Sequence, residues 1–159
     1  MQDGVGVVHM ATHGSTKGEI LLAPSPSVRG VPDVKDCMLN MDEIQELGLR
    51  AQLVVLSCCH TGRGEIRAEG VVGLTRAFLA AGARAIVASL WAIDDEATKV
   101  FMVHFYSHLK RGESASASLQ QAMKEMRNAD AWYSEPRYWA AFFLIGDDVT
   151  IGPVSAQEG

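Results

Sequence analysis

Four short apolar runs, separated by stretches with helical spacing, constrain this chain more than any other feature. They are 5–12 (VGVVHMAT), 52–57 (QLVVLS), 84–90 (RAIVASL) and 140–145 (AAFFLI). Continuous apolar runs of strand length suit a sheet that is buried on both faces. Between them, 70–81 (GVVGLTRAFLAA), a stretch from 94 to 111 and another from 114 to 127 carry the 3.6-residue apolar period of helices. Gly82 and Gly112 stop the first two, and Asp94-Asp95-Glu96 places acidic groups where a helix N-terminus favours them. Asn40 with Glu43 forms a capping box that opens a short helix through Leu47, closed by Gly48. Strands alternating with helices imply right-handed crossovers and a mostly parallel sheet. The expected fold class is α/β.

Composition narrows the setting. The 159 residues suffice for one domain with a sizeable core and are too few for two ordinary ones. A net charge of −5 argues against nucleic acid as the partner, since phosphate binding wants a basic face. Of three cysteines, Cys58 and Cys59 are adjacent and Cys37 stands alone, which makes no disulfide framework. A reducing, cytoplasmic setting follows as the expectation. No apolar stretch is long enough to span a membrane, so no membrane association is expected. Residues 24–36, with Pro24, Pro26, Gly30 and Pro32, read as a loop, 19–23 as a short apolar stretch, and 152–159 as a flexible tail. Because the chain begins almost inside a strand, it is expected to be the carboxyl-terminal portion of a larger domain. A sheet edge left open there would invite pairing with another copy, and the oligomeric state stays open.

Two strand ends carry the chemistry. The first run leads into Ala11-Thr12-His13-Gly14, and the second into Leu56-Ser57-Cys58-Cys59-His60-Thr61-Gly62. The carboxyl edge of a parallel sheet is where ligands and reacting groups gather. A histidine and a cysteine brought together there make a base and a thiol, and the thiolate is the attacking species. Adjacent cysteines suit tetrahedral zinc poorly and no CxxC spacing exists, so no metal is expected. No strand is followed by GxGxxG or a P-loop, which disfavours a nucleotide, and no cofactor is expected.

With these motifs, the run EGVVGLTRAFLAAGARAIVASLWAIDDEAT and the segment YWAAFFLIG, the chain resembles the CHAT domain family over most of its length and in the right order. That family is caspase-like and separase-related, and is often attached to tetratricopeptide repeats. The resemblance implies a caspase-like three-layer sandwich over residues 1–151, with the domain's amino-terminal part missing. It places the family's histidine on His13. Aligning Thr61-Gly62 puts the nucleophile at Cys59 and the small residue before it at Cys58, while His60 stands where the family often has Glu. The implied oxyanion donors are the backbone N–H groups of Gly14 and Cys59. The implied partner is a protein or peptide substrate, with tetratricopeptide repeats in the same chain. Two alternatives stay open: Cys58 as nucleophile in place of Cys59, and an interaction or scaffold module, linked to cell division, that keeps the pair without turnover.

The remaining candidates have structural readings beside the functional ones. Asp94 and Asp95 cap the helix after Trp91, or one of them helps select a basic substrate residue. Trp91 forms a pocket wall or covers the sheet edge. His104 and His108 lie four apart, as paired metal ligands do, yet the Glu of HExxH is missing, and a solvated or interface helix face is expected. Arg63, Glu65, Arg67 and Glu69 are expected on an exposed loop.

Overall fold

The computed structural model describes residues 6–15, 18–24, 29–57 and 68–152. Along the chain the elements are β1 (Val7–Met10), β2 (Ile20–Leu21), β3 (Met38–Leu39), α1 (Met41–Glu46), β4 (Leu53–Leu56), α2 (Ala68–Ala80), β5 (Ala85–Ser89), α3 (Asp95–Lys110), α4 (Ala115–Asn128) and β6 (Phe142–Gly146). The main sheet has the order β1-β4-β5-β6. β1, β4 and β5 are parallel, with Val7, Leu53 and Ala85 in line at one end and Met10, Leu56 and Ala88 at the other. β6 runs antiparallel to β5, pairing Ser89 with Phe142.

Successive strand residues point to opposite faces, so an unbroken apolar strand can feed two cores. All four residues of β4 are buried. Leu53 and Val55, with Ala85 and Val87, pack against Phe101, Phe105 and Leu109 of α3 and Leu119, Ala122 and Met126 of α4. Val54 and Leu56, with Ile86 and Ala88, pack against Ile44 of α1 and Val71, Leu74 and Phe78 of α2. The result is three layers, helices on both faces of a mostly parallel sheet. The α/β expectation and the caspase-like sandwich arrangement both match it.

The local signals are expressed as written. Asn40 accepts from the Asp42 and Glu43 N–H groups, and Glu43 reaches back to the Asn40 N–H at 2.9 Å. Ser114 caps α4 by accepting from Ala117 N–H. Gly82 ends α2 at φ 109°, which lets Ala83 N–H close onto the Phe78 carbonyl at 3.0 Å. A Cβ at Gly82 would run into the Leu49 backbone carbonyl, so the position needs glycine twice over.

Elements too short to show a period escape the sequence pattern. The stretch at 19–23 forms β2, which pairs antiparallel with β3 and buries Ile20 completely. Within the expected loop, Val34–Cys37 forms a 3-10 turn capped by Asp33. The polar segment around Pro136 contains two further 3-10 turns, Trp132–Ser134 and Pro136–Tyr138. The first strand stops at Met10 instead of continuing to Thr12, because the chain leaves β4 there to meet β2. Thr12 donates its hydroxyl to the Leu21 carbonyl, and Leu21 N–H donates to the His13 carbonyl at 2.8 Å. β1 is an outer strand of the sheet among the described residues, and the tail beyond residue 152 lies outside them.

Candidate active site

The parallel register lines up three strand ends. Met10, Leu56 and Ala88 sit side by side, on strands about 4.8 Å apart. His13, Cys59 and Trp91 each follow their strand's member of that row by three residues in the sequence. Cys58, Cys59 and His60 lie outside the described residues, as do Arg63, Glu65 and Arg67. Glu69 is described, in the first turn of α2.

His13 and Gly14 belong to a short arm laid against β2. Leu21 N–H bonds to the His13 carbonyl and Ser15 N–H to the Glu19 carbonyl, both at 2.8 Å, on either side of the Gly14–Ile20 bridge. In an antiparallel pair, bonds flanking a residue mean that its own N–H points away from the partner strand. The Gly14 N–H is therefore directed off the ladder. Ser15 and Glu19 also bond through their side chains, Oγ to Oε2 at 2.7 Å, which closes the base of the arm. The arm rests on wholly buried Ile20, whereas His13 is exposed. A reactive imidazole has to reach its substrate, and this placement permits it.

Trp91 and Asp94 continue the same edge beyond β5. Trp91 is 43% exposed, and its indole N–H donates to the Arg137 carbonyl at 2.9 Å. That bond ties the end of β5 to the turn preceding β6. Asp94 is the N-cap of α3, accepting from Glu96 N–H at 3.0 Å and Ala97 N–H at 3.2 Å. Asp95 is exposed in the first turn. Of the two carboxylates, the cap occupies Asp94.

Two clusters were not legible in the sequence. His9 on β1 lies 2.8 Å from Ser57 Oγ through Nε2, and 2.9 Å from Tyr106 Oη of α3 through Nδ1. Desolvation of its ring pushes its pKa below the ordinary histidine value, and Tyr106 is pushed up to about 12 for the same reason. The signal was a lone polar residue inside an apolar strand run. His104 and His108 are a helix-interface pair, and His108 is buried where a solvated face was one expectation. His108 Nδ1 lies 2.7 Å from Glu113 and Nε2 3.2 Å from Glu125, and Glu125 also engages His104. The Glu113 hydrogen bond leads in raising the His108 pKa, helped by Glu125. Among the described residues no group of three or more His, Cys, Asp or Glu is arranged to hold a metal ion, and no helix is long and apolar enough to cross a membrane.

Helices on both faces of a mostly parallel sheet define the class, a three-layer α/β sandwich. The CHAT domain family profile matches residues 1–147, and the chain belongs to that family. It is 41% identical over 133 residues to tetratricopeptide repeat protein 28 of Mus musculus, and 40% identical over the same length to that of Homo sapiens. Each match covers 84% of this chain and 5% of the relative. The chain thus spans a small part of the curated relatives it matches.

Proposed function

We propose that this CHAT domain is a caspase-like cysteine endopeptidase domain, working within a longer chain that carries tetratricopeptide repeats. The observation that carries the reading is the pairing of Met10 with Leu56 at the ends of neighbouring parallel strands, which His13 and Cys59 each follow by three residues in the sequence. The outward Gly14 N–H, next to His13, supports it as an oxyanion donor alongside the Cys59 N–H.

In this reading the Cys59 thiolate adds to the carbonyl carbon of the scissile peptide bond. His13 gives a proton to the departing amine, and water then hydrolyses the thioester with His13 as base. Trp91 walls the substrate site. Asp95, not occupied by the helix cap, is the carboxylate suited to a basic substrate residue. The substrate is a protein or peptide, and the repeats recruit it. A cytoplasmic setting keeps the thiols reduced, and Cys37 is unpaired in the structure.

The competing reading is a catalytically silent interaction module, favoured by His60 standing where the family pattern has Glu. A peptidyl acyloxymethyl ketone applied to the full chain separates the two. Labelling in the wild type, lost in Cys59→Ala and strongly slowed in His13→Ala, is expected for the peptidase. Labelling that survives unchanged in Cys59→Ala removes Cys59 as nucleophile. Absence of labelling and cleavage throughout assigns the module.

A further inference from the structure

The two strands that lead to His13 and Cys59 are joined by more than their ladder. Ser57 N–H donates to the Met10 carbonyl at 3.0 Å, one step beyond the last ladder pair. The Ser57 hydroxyl is also bonded to His9 Nε2, and His9 Nδ1 to Tyr106 Oη. Ser57 is 6% exposed and immediately precedes the two cysteines. His9 precedes His13 by four residues and shares a strand face with Val7, which packs into the α3/α4 core. The ring centroids of His9 and Tyr106 are 5.6 Å apart, so helix and strand are in direct contact.

We infer that His9 is a positioning residue, which through Ser57 and Tyr106 holds the ends of β1 and β4 at one spacing, and so sets the reactivity of Cys59. This rests on the peptidase reading above. A neutral imidazole carries one donor and one acceptor, and each hydroxyl can supply whichever role is missing. All three groups are satisfied without a net charge. His9 is exposed at the outer edge of β1, yet partial desolvation lowers its pKa and raises that of Tyr106 to about 12, which favours the neutral form of both groups in the tie. With both ring nitrogens engaged, His9 is a poor general base and a good strut. Reacting groups displaced by about 1 Å lose rate by up to about a hundredfold, so a strut at this point has leverage.

The experiment reads alkylation of Cys59 by iodoacetamide in the full chain, in a Cys58→Ala background, with Cys37 as an internal reference thiol. Peptide mass spectrometry follows the rates from pH 5 to 9, and a melting curve accompanies each variant. His9→Phe and Ser57→Ala are expected to lower the Cys59 rate by about tenfold and to raise its apparent thiol pKa, without touching Cys37. His9→Gln extends its amide as far as Nε2 and should recover the Cys59 rate to within about threefold. His9→Asn reaches only as far as Nδ1, keeps Tyr106 and should not recover it. A general loss of packing would slow Gln and Asn alike. If the starting protein's Cys59 reacts no faster than Cys37, the dyad itself falls, and the strut with it. If Cys59 is fast and neither Ser57→Ala nor His9→Phe slows it, the dyad stands and the strut is overturned.

Discussion

His108 of α3 and Glu125 of α4 meet across the interface of the two helices, with Nε2 3.2 Å from Oε1. Glu113, in the turn between the helices, takes the other ring nitrogen at 2.7 Å. His108 therefore lies between two carboxylates with about a tenth of its side chain exposed. Its pKa is raised, so it holds a proton in the folded state at pH values where the unfolded chain has released it. That stabilisation is fully present below the unfolded value near 6.5 and is lost as pH rises through the folded value. The urea midpoint should fall between pH 6 and pH 9, and His108→Gln should flatten that fall. Glu113→Gln, at a carboxylate about one-third exposed, should destabilise by about 1 kcal/mol at pH 6 and by less at pH 9. Equal slopes in wild type and His108→Gln would exclude this account.

Ser118 of α4 is completely buried, and its hydroxyl has no hydrogen-bond partner among the described residues. Burying an unpaired hydroxyl is unfavourable, and alanine fills nearly the same space. Ser118→Ala should raise stability by about 1 kcal/mol, read as a higher denaturant midpoint at unchanged slope. A lower midpoint would show that the hydroxyl has a use that the geometry does not reveal.

Gly82 combines a left-handed backbone with a close approach to the Leu49 carbonyl. Gly82→Ala meets both penalties and should destabilise by about 2–3 kcal/mol, lowering the melting temperature by about 5–10 °C. Gly112 has φ 87° with open space around it, so Gly112→Ala meets only the backbone penalty. Calorimetry should place Gly112→Ala between wild type and Gly82→Ala.

Phe101 of α3 stacks on Phe142 of β6, centroids 3.9 Å apart, and is wholly buried. It pins the helix to the first residue of the antiparallel strand. Phe101→Ala should cost about 3–5 kcal/mol through lost burial and the cavity left behind, whereas Phe101→Leu should cost about half as much. Chemical denaturation measures both, and similar small losses would mean the site collapses readily.

Much of this molecule is legible one segment at a time. The capping box at Asn40 and Glu43, the stop at Gly82, the N-cap at Asp94 and four strand-length runs all depend on neighbours within a few positions. So does the His-Gly pair after β1. The signals fail where an element is too short to establish a period, as in β2 and β3. They fail again where a polar side chain sits in an apolar run, as His9 does. Periodicity reports which face of a segment avoids water, without naming what covers it.

The sequence by itself determined the α/β class, the approximate limits of the helices and the order of the strands, though not where the first strand ends. Only the tertiary structure decided that β1 pairs with β4 in the register that aligns Met10 with Leu56, and that β6 turns antiparallel. The same holds for the bonds from His9 to Ser57, 48 positions away, and to Tyr106, 97 positions away. Local free energies act between neighbours in the chain. Such distant partners are chosen when both faces of the sheet are buried at once, because a slip of one residue would turn every buried strand side chain to the wrong core.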